Sequence, residues 1–326
     1  MNHEFDWEQR LTDTLKNVAR RQEIKSYVEL TPWLNRLLRR AAGQYVAGEN
    51  RQDGLAAARR LADMGYKISL EYIGENTLDV KRCQAAAEEM KSLICELGEI
   101  GDRVSFDLSH IGLSVKKDLA YRQLMEMADE ARTANVELFV SMEESAKTDL
   151  ILDTYQKAVA HYPNIGITLQ AHLHRTPMDL AVLSDSPRLI RIVKGAYQEP
   201  ATHALSRSSE LDERYLTLVQ DAIHRGHRVS IATHDERIIN EAIHLGLLDS
   251  GSAEFEMLYG IRPELSEKLQ SAGYPVRIYV TYGREWFLYL CHRIAEYPPN
   301  LYRAVADMAS DEAVEPYRAY NRAPKE

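Results

Sequence analysis

Tyr279-Val-Thr-Tyr-Gly-Arg-Glu-Trp-Phe-Leu-Tyr-Leu-Cys-His-Arg-Ile-Ala-Glu296 begins as a strand, turns at Gly283 and continues as a helix. Along that helix Tyr289, Arg293 and Glu296 recur at i, i+4 and i+7. His292 lies one turn from both Tyr289 and Glu296, so the four side chains share one side. Trp286, Leu290 and Ile294 cover much of the remainder, which requires the element to pack against a neighbour. A phenol, an imidazole, a guanidinium and a carboxylate on a packed helix suggest a ligand site. The blander reading is an Arg–Glu pair bracing two helices.

The same change from strand to helix recurs upstream. Candidate strands are Lys67–Ile73, Arg103–Leu108, Val136–Met142, Gly166–Leu173, Leu189–Val193, Arg228–Thr233, Glu254–Leu258 and Val276–Val280. Helical stretches such as Leu78–Leu97, Leu119–Ala134 and Leu211–Arg225 separate them. Eight strands alternating with helices predict an α/β fold of the (βα)8 TIM-barrel type. The competing open, doubly wound sheet normally carries a glycine-rich phosphate turn after its first strand, and no such fingerprint occurs here. Residues 1–60 read as an N-terminal helical arm, 61–308 as the barrel and 309–326 as a loose polar tail.

The chain has 326 residues, 45% hydrophobic and 27% charged, with a formal charge of −9 and acids and bases interspersed. That balance argues against a nucleic-acid footprint. No segment approaches the roughly 18 apolar residues needed to span a bilayer, and the acidic N-terminus lacks an apolar signal core. Cys83, Cys95 and Cys291 are unclustered and odd in number, which fits a reduced cytoplasmic protein without a disulfide framework. Peripheral membrane association stays compatible with this.

Barrel active sites form at the C-terminal strand ends. The polar residues found there are Asp107, Ser109 and His110, then Ser141, Glu143 and Glu144, then Gln170, His172, His174 and Arg175. Arg191, Lys194 and Tyr197 follow, with Thr233, His234, Asp235, Glu256, Tyr259 and Tyr279. Three readings compete: a divalent metal on His110, His172, His174 and His234, as in a metal-dependent hydrolase; a phosphate site; and an organic cofactor gripped by Arg191, Lys194, Gln170 and His234.

Five segments resemble the flavin-dependent proline dehydrogenase family, in family order across about residues 66 to 305. They are Leu169-Gln-Ala-His-Leu-His-Arg-Thr176, Val193-Lys-Gly-Ala-Tyr197 preceded by Arg191, Ala232-Thr-His-Asp235, Phe255-Glu-Met-Leu-Tyr-Gly-Ile-Arg-Pro-Glu264, and the opening stretch. The resemblance implies a distorted barrel holding FAD without a Rossmann motif and assigns no metal. It implies flavin contacts for Met142, Gln170 and Arg191. Lys194, Gly195 and Ala196 match the cofactor-contacting turn, and Thr233 and His234 the phosphate and ribitol region. Arg191, Ser141 and Tyr279 fall at catalytic positions; Asp107, Tyr279, Tyr289, His292, Arg293 and Glu296 fall at substrate positions.

The substrate half departs from the family pattern. Asp107 stands where the family has a lysine, His292 where it has an arginine and Ser141 where it has an aspartate. By formal charge the pocket changes by about −2, which disfavours a carboxylate. The expectation is an FAD-dependent dehydrogenase that oxidises a small amine or imino-acid-like substrate by hydride transfer to flavin, other than ordinary L-proline, with a quinone or other electron acceptor. A genuine L-proline dehydrogenase is the alternative. A binding barrel without catalysis and the metal-dependent hydrolase are the readings from other classes.

Overall fold

In a computed structural model, the structure describes residues 7–98, 103–183, 186–296, 300–309 and Tyr320. Eight parallel strands close into a barrel in sequence order: β1 (Lys67–Tyr72), β2 (Arg103–Phe106), β3 (Glu137–Val140), β4 (Ile165–Gln170), β5 (Leu189–Val193), β6 (Arg228–Ala232), β7 (Ala253–Leu258) and β8 (Val276–Tyr282). The last strand returns to the first with Lys67 opposite Arg277 and Tyr72 opposite Tyr282. Several expected strands were too long at their C-terminal ends: Asp107, Ser141, Met142 and Thr233 sit just beyond β2, β3 and β6, where the chain has left the ladder.

The helices between strands are α5 (Val80–Leu97), α6 (Lys117–Thr133), α7 (Thr148–Val159), α8 (Thr176–Val182), α9 (Ser209–His224), α10 (Glu236–His244) and α11 (Pro263–Ser271); α12 (Trp286–Glu296) and α13 (Asn300–Ala309) follow β8. Before the barrel come α1 (Trp7–Arg20), α2 (Gln22–Leu30), α3 (Pro32–Ala42) and α4 (Arg51–Asp63). The helical arm is thus broken at Arg21, whose backbone is extended. A capping box starts α4: the Asn50 side chain accepts from the Asp53 N–H while the Asp53 side chain accepts from the Asn50 N–H. This helix packs on β1 and β8 as part of the barrel layer, while α1 and α3 lie against α12. Val28, Ala41, Tyr45, Trp286, Phe287, Leu290 and Ile294 form a second apolar cluster there. The tail holds one described residue, Tyr320, and at that point it is not loose. Its ring stacks on Tyr259 at 6.0 Å, and its hydroxyl accepts the Gly260 N–H at 2.9 Å.

Side chains alternate across each strand, and the alternation here divides chemistry cleanly. Ile68, Leu70, Val104, Leu138, Ile167, Ile190, Ile192, Ile231, Phe255 and Ile278 belong to the main apolar core with the surrounding helices. The other face is polar. Arg103 on β2 donates to Glu256 on β7 at 3.0 Å, and Arg191 on β5 reaches Ser105 on β2 at 2.8 Å. These strands are not neighbours, so the bonds cross the barrel interior. Barrel interiors are usually filled by Val, Ile and Leu. This one is filled by an ionic network of Arg103, Arg191, Arg277, Glu254 and Glu256, with Phe139 inserted 3.9 Å from the Arg103 guanidinium and 4.8 Å from that of Arg191.

Candidate active site

A cavity of about 930 Å³ opens over the C-terminal ends of the strands, near the top of the ~300–1,000 Å³ range of small-molecule and cofactor sites. Its floor is Arg191. Nε and Nη2 donate to Glu256 at 3.0 and 2.6 Å, Nη2 also reaches Ser105, and Nη1 lies 3.3 Å from the Thr168 hydroxyl. The guanidinium sits 4.8 Å from the Tyr279 ring. Burial pulls the Arg191 pKa down, but Glu256 and Tyr279 outweigh it and the group stays cationic. Burial likewise pushes the Glu256 carboxyl up, and Arg191 with Arg103 brings it below its ordinary value.

One flank is built by the ends of β4 to β7. Lys194 Nζ bridges Asp212 at 2.6 Å and Asp235 at 2.9 Å. The next residue, Gly195, has φ +107°, and a Cβ there would lie 2.5 Å from the His172 ring, so the turn requires glycine. Arg207 Nη2 donates to the Gly195 carbonyl at 2.5 Å, and Ala196 follows on the cavity wall. The Thr233 hydroxyl accepts the Asp235 N–H. His234 Nε2 accepts the Leu258 N–H at 2.9 Å, and burial, with Arg293 and Arg262 adding to it, lowers its pKa to about 3. The ring is therefore neutral with its proton on Nδ1, a donor at the cavity wall. Gln170 donates its amide N–H to the Glu143 carbonyl at 2.9 Å, which leaves its amide oxygen as an acceptor; Met142 lines the wall beside it.

The opposite end is acidic. Tyr279 donates its hydroxyl to Glu71 Oε2 at 2.7 Å. Burial raises the Glu71 pKa to about 7, with Glu75 adding to it and Tyr279, Arg191 and Arg293 opposing. Asp107 is pushed well above the carboxylate range by burial and by Glu143, Glu71 and Glu75, against a smaller opposing effect of Lys147. Ser141, Tyr289, His292 and Arg293 complete this end, with the Arg293 guanidinium 4.8 Å from the Tyr289 ring.

The cavity thus gathers Asp107, Ser141, Met142, Gln170, Arg191, Lys194, Gly195, Ala196, Thr233, His234, Tyr279, Tyr289, His292 and Arg293. The side chain of Glu296 lies outside the described residues. The His110 ring packs on Tyr72 at 5.3 Å, beneath Gly74. His174 faces the Ala201 carbonyl, away from the mouth. Among the described residues no group of three His, Cys, Asp or Glu side chains is placed to hold a metal. Sequence reasoning missed Glu71, Glu75, Arg207 and Arg262 on the wall. For Glu71 a signal existed: Lys67-Ile-Ser-Leu-Glu-Tyr72 alternates polar and apolar, which puts Ser69 and Glu71 on one face.

The sequence model of the family described as Proline dehydrogenase matches residues 54–300. Proline dehydrogenase 1 of Bacillus subtilis (strain 168) is 32% identical over 267 residues, covering 80% of this chain and 88% of that protein. The proline dehydrogenase of Deinococcus radiodurans is 32% identical over 293 residues, covering 87% and 93%. Among solved structures, proline utilization A from Bdellovibrio bacteriovorus, inactivated by N-propargylglycine, superposes with a TM-score of 0.75 at 18% identity. That match takes in 94% of this chain and 40% of the longer protein, and at such identity it speaks to the fold alone. Among the described residues no helix is long and apolar enough to cross a membrane.

Proposed function

The chain belongs to the proline dehydrogenase family, and from that premise we propose that it holds FAD across the barrel mouth and oxidises L-proline to 1-pyrroline-5-carboxylate. The oxidoreductase class, acting on a CH–NH bond, follows from the family; the cofactor, the substrate and the residue roles are our reading. The observation that carries it is one continuous cavity with cations and donors on one flank, a clamped guanidinium at its floor and an acidic end. Lys194, Arg262 and the His234 Nδ1–H suit a pyrophosphate, and Gln170 supplies an amide for a ring edge. Arg191 suits a ring that gains negative charge. When bound, FAD would supply the two-electron acceptor for the substrate C–H bond.

The expectation of a substrate other than L-proline gains no support from the relatives, which carry the name proline dehydrogenase. Its charge count treated Asp107 as ionised. Burial, with Glu143, Glu71 and Glu75, pushes that carboxyl well above the ordinary carboxylate range, and in its protonated form it would offer an O–H donor to a substrate carboxylate in place of repulsion. Arg293 supplies the cation, Tyr289 and Tyr279 the walls, and Glu71 faces the amine. Ser141 is too small to add more than a hydrogen bond.

The test is turnover with a dye acceptor by purified, flavin-loaded protein. L-proline should be oxidised and bleach the flavin absorbance. Failure with L-proline alongside turnover of pyrrolidine, which lacks the carboxylate, would overturn the substrate assignment. It would restore the reading favoured by the three carboxyls Glu71, Glu75 and Asp107 at this end, that of an amine without a carboxylate. The natural electron acceptor is proposed to be a quinone, tested by reoxidation of the reduced protein with soluble quinone analogues.

A further inference from the structure

We propose that Glu71 is the proton acceptor of the site: its carboxylate takes the ammonium proton of the bound amine, giving the neutral nitrogen that C–H oxidation requires. The assignment rests on the reading of the cavity as an amine dehydrogenase. A strongly basic ring amine arrives protonated at neutral pH. Its carbon can form a double bond to nitrogen only when the nitrogen lone pair is available, so one proton must leave first. In that step the N–H bond breaks, its electron pair stays on nitrogen, and the proton forms an O–H bond on the carboxylate. No electrons change hands.

The groups facing the acidic end can be taken in turn. Arg191 on β5 and Arg293 on α12 are cations and cannot accept a proton, and His292, beside Arg293 on α12, is already engaged by another group. Tyr279 on β8 has its phenol pushed far up and already donates to Glu71. Asp107 lies beyond β2, off the ladder, with Glu143 and Lys147 behind it, and burial with Glu143, Glu71 and Glu75 pushes its carboxyl well above the ordinary range. Glu75 is carried on the loop past Gly74, off the strand. Glu71 differs from all of these. It is fixed on β1, one oxygen is oriented by Tyr279 at 2.7 Å, and the other has no hydrogen-bond partner among the described residues. Its accessible surface opens on the cavity. A pKa of about 7 suits a group that must both take up and release a proton near neutrality.

Glu71→Gln keeps the size and the acceptor for the Tyr279 hydroxyl while removing the base. The experiment compares kcat/KM against pH for wild type and variant, both loaded with flavin as judged by absorbance. Two substrates are used: L-proline, and thiazolidine carboxylate, whose ring sulfur makes the amine only weakly basic. On L-proline the wild type should show an acidic limb centred near 7 that disappears in Glu71→Gln, with a ~10²–10⁴-fold loss of kcat/KM. On the weakly basic substrate the loss should be at least about tenfold smaller, because less of it needs deprotonation. An unchanged limb, or equal losses on both substrates, would overturn the assignment and leave Glu71 as a mere support for Tyr279. Should Glu71→Gln fail to retain flavin, Tyr279→Phe serves: losing the hydroxyl that stabilises the carboxylate should move the limb to higher pH, and an unmoved limb overturns the proposal. Absence of wild-type turnover on any ring amine would sink the dehydrogenase reading itself, an outcome distinct from the others.

Discussion

Replacing Glu256 by glutamine should destabilise this barrel severely. Glu256 lies where two buried guanidiniums converge, with Arg191 Nη2 at 2.6 Å and Arg103 Nη1 at 3.0 Å. The interior network sets three cations, Arg103, Arg191 and Arg277, against Glu254, Glu256 and Glu137, the last at 16% side-chain exposure. Glu256→Gln keeps the shape, removes one charge and turns an N–H₂ group toward a guanidinium, so one buried cation is left unbalanced. Breaking a buried pair from one side costs ~3–5 kcal/mol. At ~2 °C per kcal/mol, the low end for domains of this size, the melting temperature should fall by about 6–10 °C. Calorimetry on the flavin-free protein measures this without involving activity. Adding Arg103→Met to the variant should recover part of the loss, because the surplus cation goes with it. A drop under about 1 °C, or strictly additive effects in the double variant, would refute the claim that these charges balance one another across the lumen.

Gly195→Ala should destabilise the turn by ~1–3 kcal/mol, since φ is +107° and the new Cβ meets the His172 ring at 2.5 Å; an unchanged melting temperature would contradict the geometry. Lys194→Met should weaken FAD binding ~10–150-fold, the equivalent of one charged hydrogen bond at ~1.5–3 kcal/mol, and fluorescence titration of the flavin-free protein reads it directly. The pH dependence of stability has two opposed parts. His110 and His234 have folded pKa values lowered to about 4 and about 3 from 6.5, so their contribution is present above 6.5 and lost as pH falls below it. Glu71 is raised from 4.5 to about 7, so its burial is without cost below 4.5 and costs stability increasingly as pH rises to 7. Glu71→Gln should therefore raise the melting temperature at pH ~8 relative to pH ~5 when compared with wild type; an identical pH profile would show that Glu71 is not buried as described.

The barrel was legible because period and punctuation agreed. Short apolar runs ending in polar residues and followed by amphipathic helices admit few topologies, and Leu189–Val193 came out with its boundaries unchanged. Strand ends were harder. Asp107, Ser141 and Thr233 continue the composition of the strands before them, and only the lost ladder bonds separate them. Arg21 also gives no sign of a break between α1 and α2, because nothing about an arginine disfavours a helix. Tyr320 could not be placed from sequence, since its anchor is the backbone of Gly260, 60 positions away. The polar lumen was half visible. Arg103, Arg191, Glu254, Glu256 and Arg277 alternate with aliphatic residues on their strands, yet that pattern is equally what solvent-facing positions give. Only closure of the sheet turns the charged face inward.

The same closure changes what formal charges mean at the substrate end. In water Asp107 would be an anion, and its exchange for a cation would evict any carboxylate ligand. Set among Glu143, Glu71 and Glu75 on the cavity wall, its carboxyl is pushed well above the ordinary carboxylate range. Burial thus converts an apparent repulsive charge into a hydrogen-bond donor, while Glu71, held by Tyr279 and close to Arg191 and Arg293, is left nearest to ionising at neutral pH. Both carboxyls, at adjacent strands, are pushed up by burial, but Asp107 is crowded by further carboxylates while Glu71 is relieved by Tyr279, Arg191 and Arg293. That division is what a zwitterionic substrate needs, a donor for its carboxylate and an acceptor for its ammonium, and no tally of residue types could have distinguished the two. Asp107→Asn, which keeps a donor and cannot ionise, should therefore retain affinity for L-proline within about threefold, a difference of ~0.6 kcal/mol. Asp107→Ala should lose roughly tenfold in KM with little change in the pH limb, the cost of one hydrogen bond at ~1–1.5 kcal/mol. If the asparagine variant instead bound L-proline tenfold more tightly than wild type, the aspartate would be charged in the native site and the reasoning from burial would be wrong.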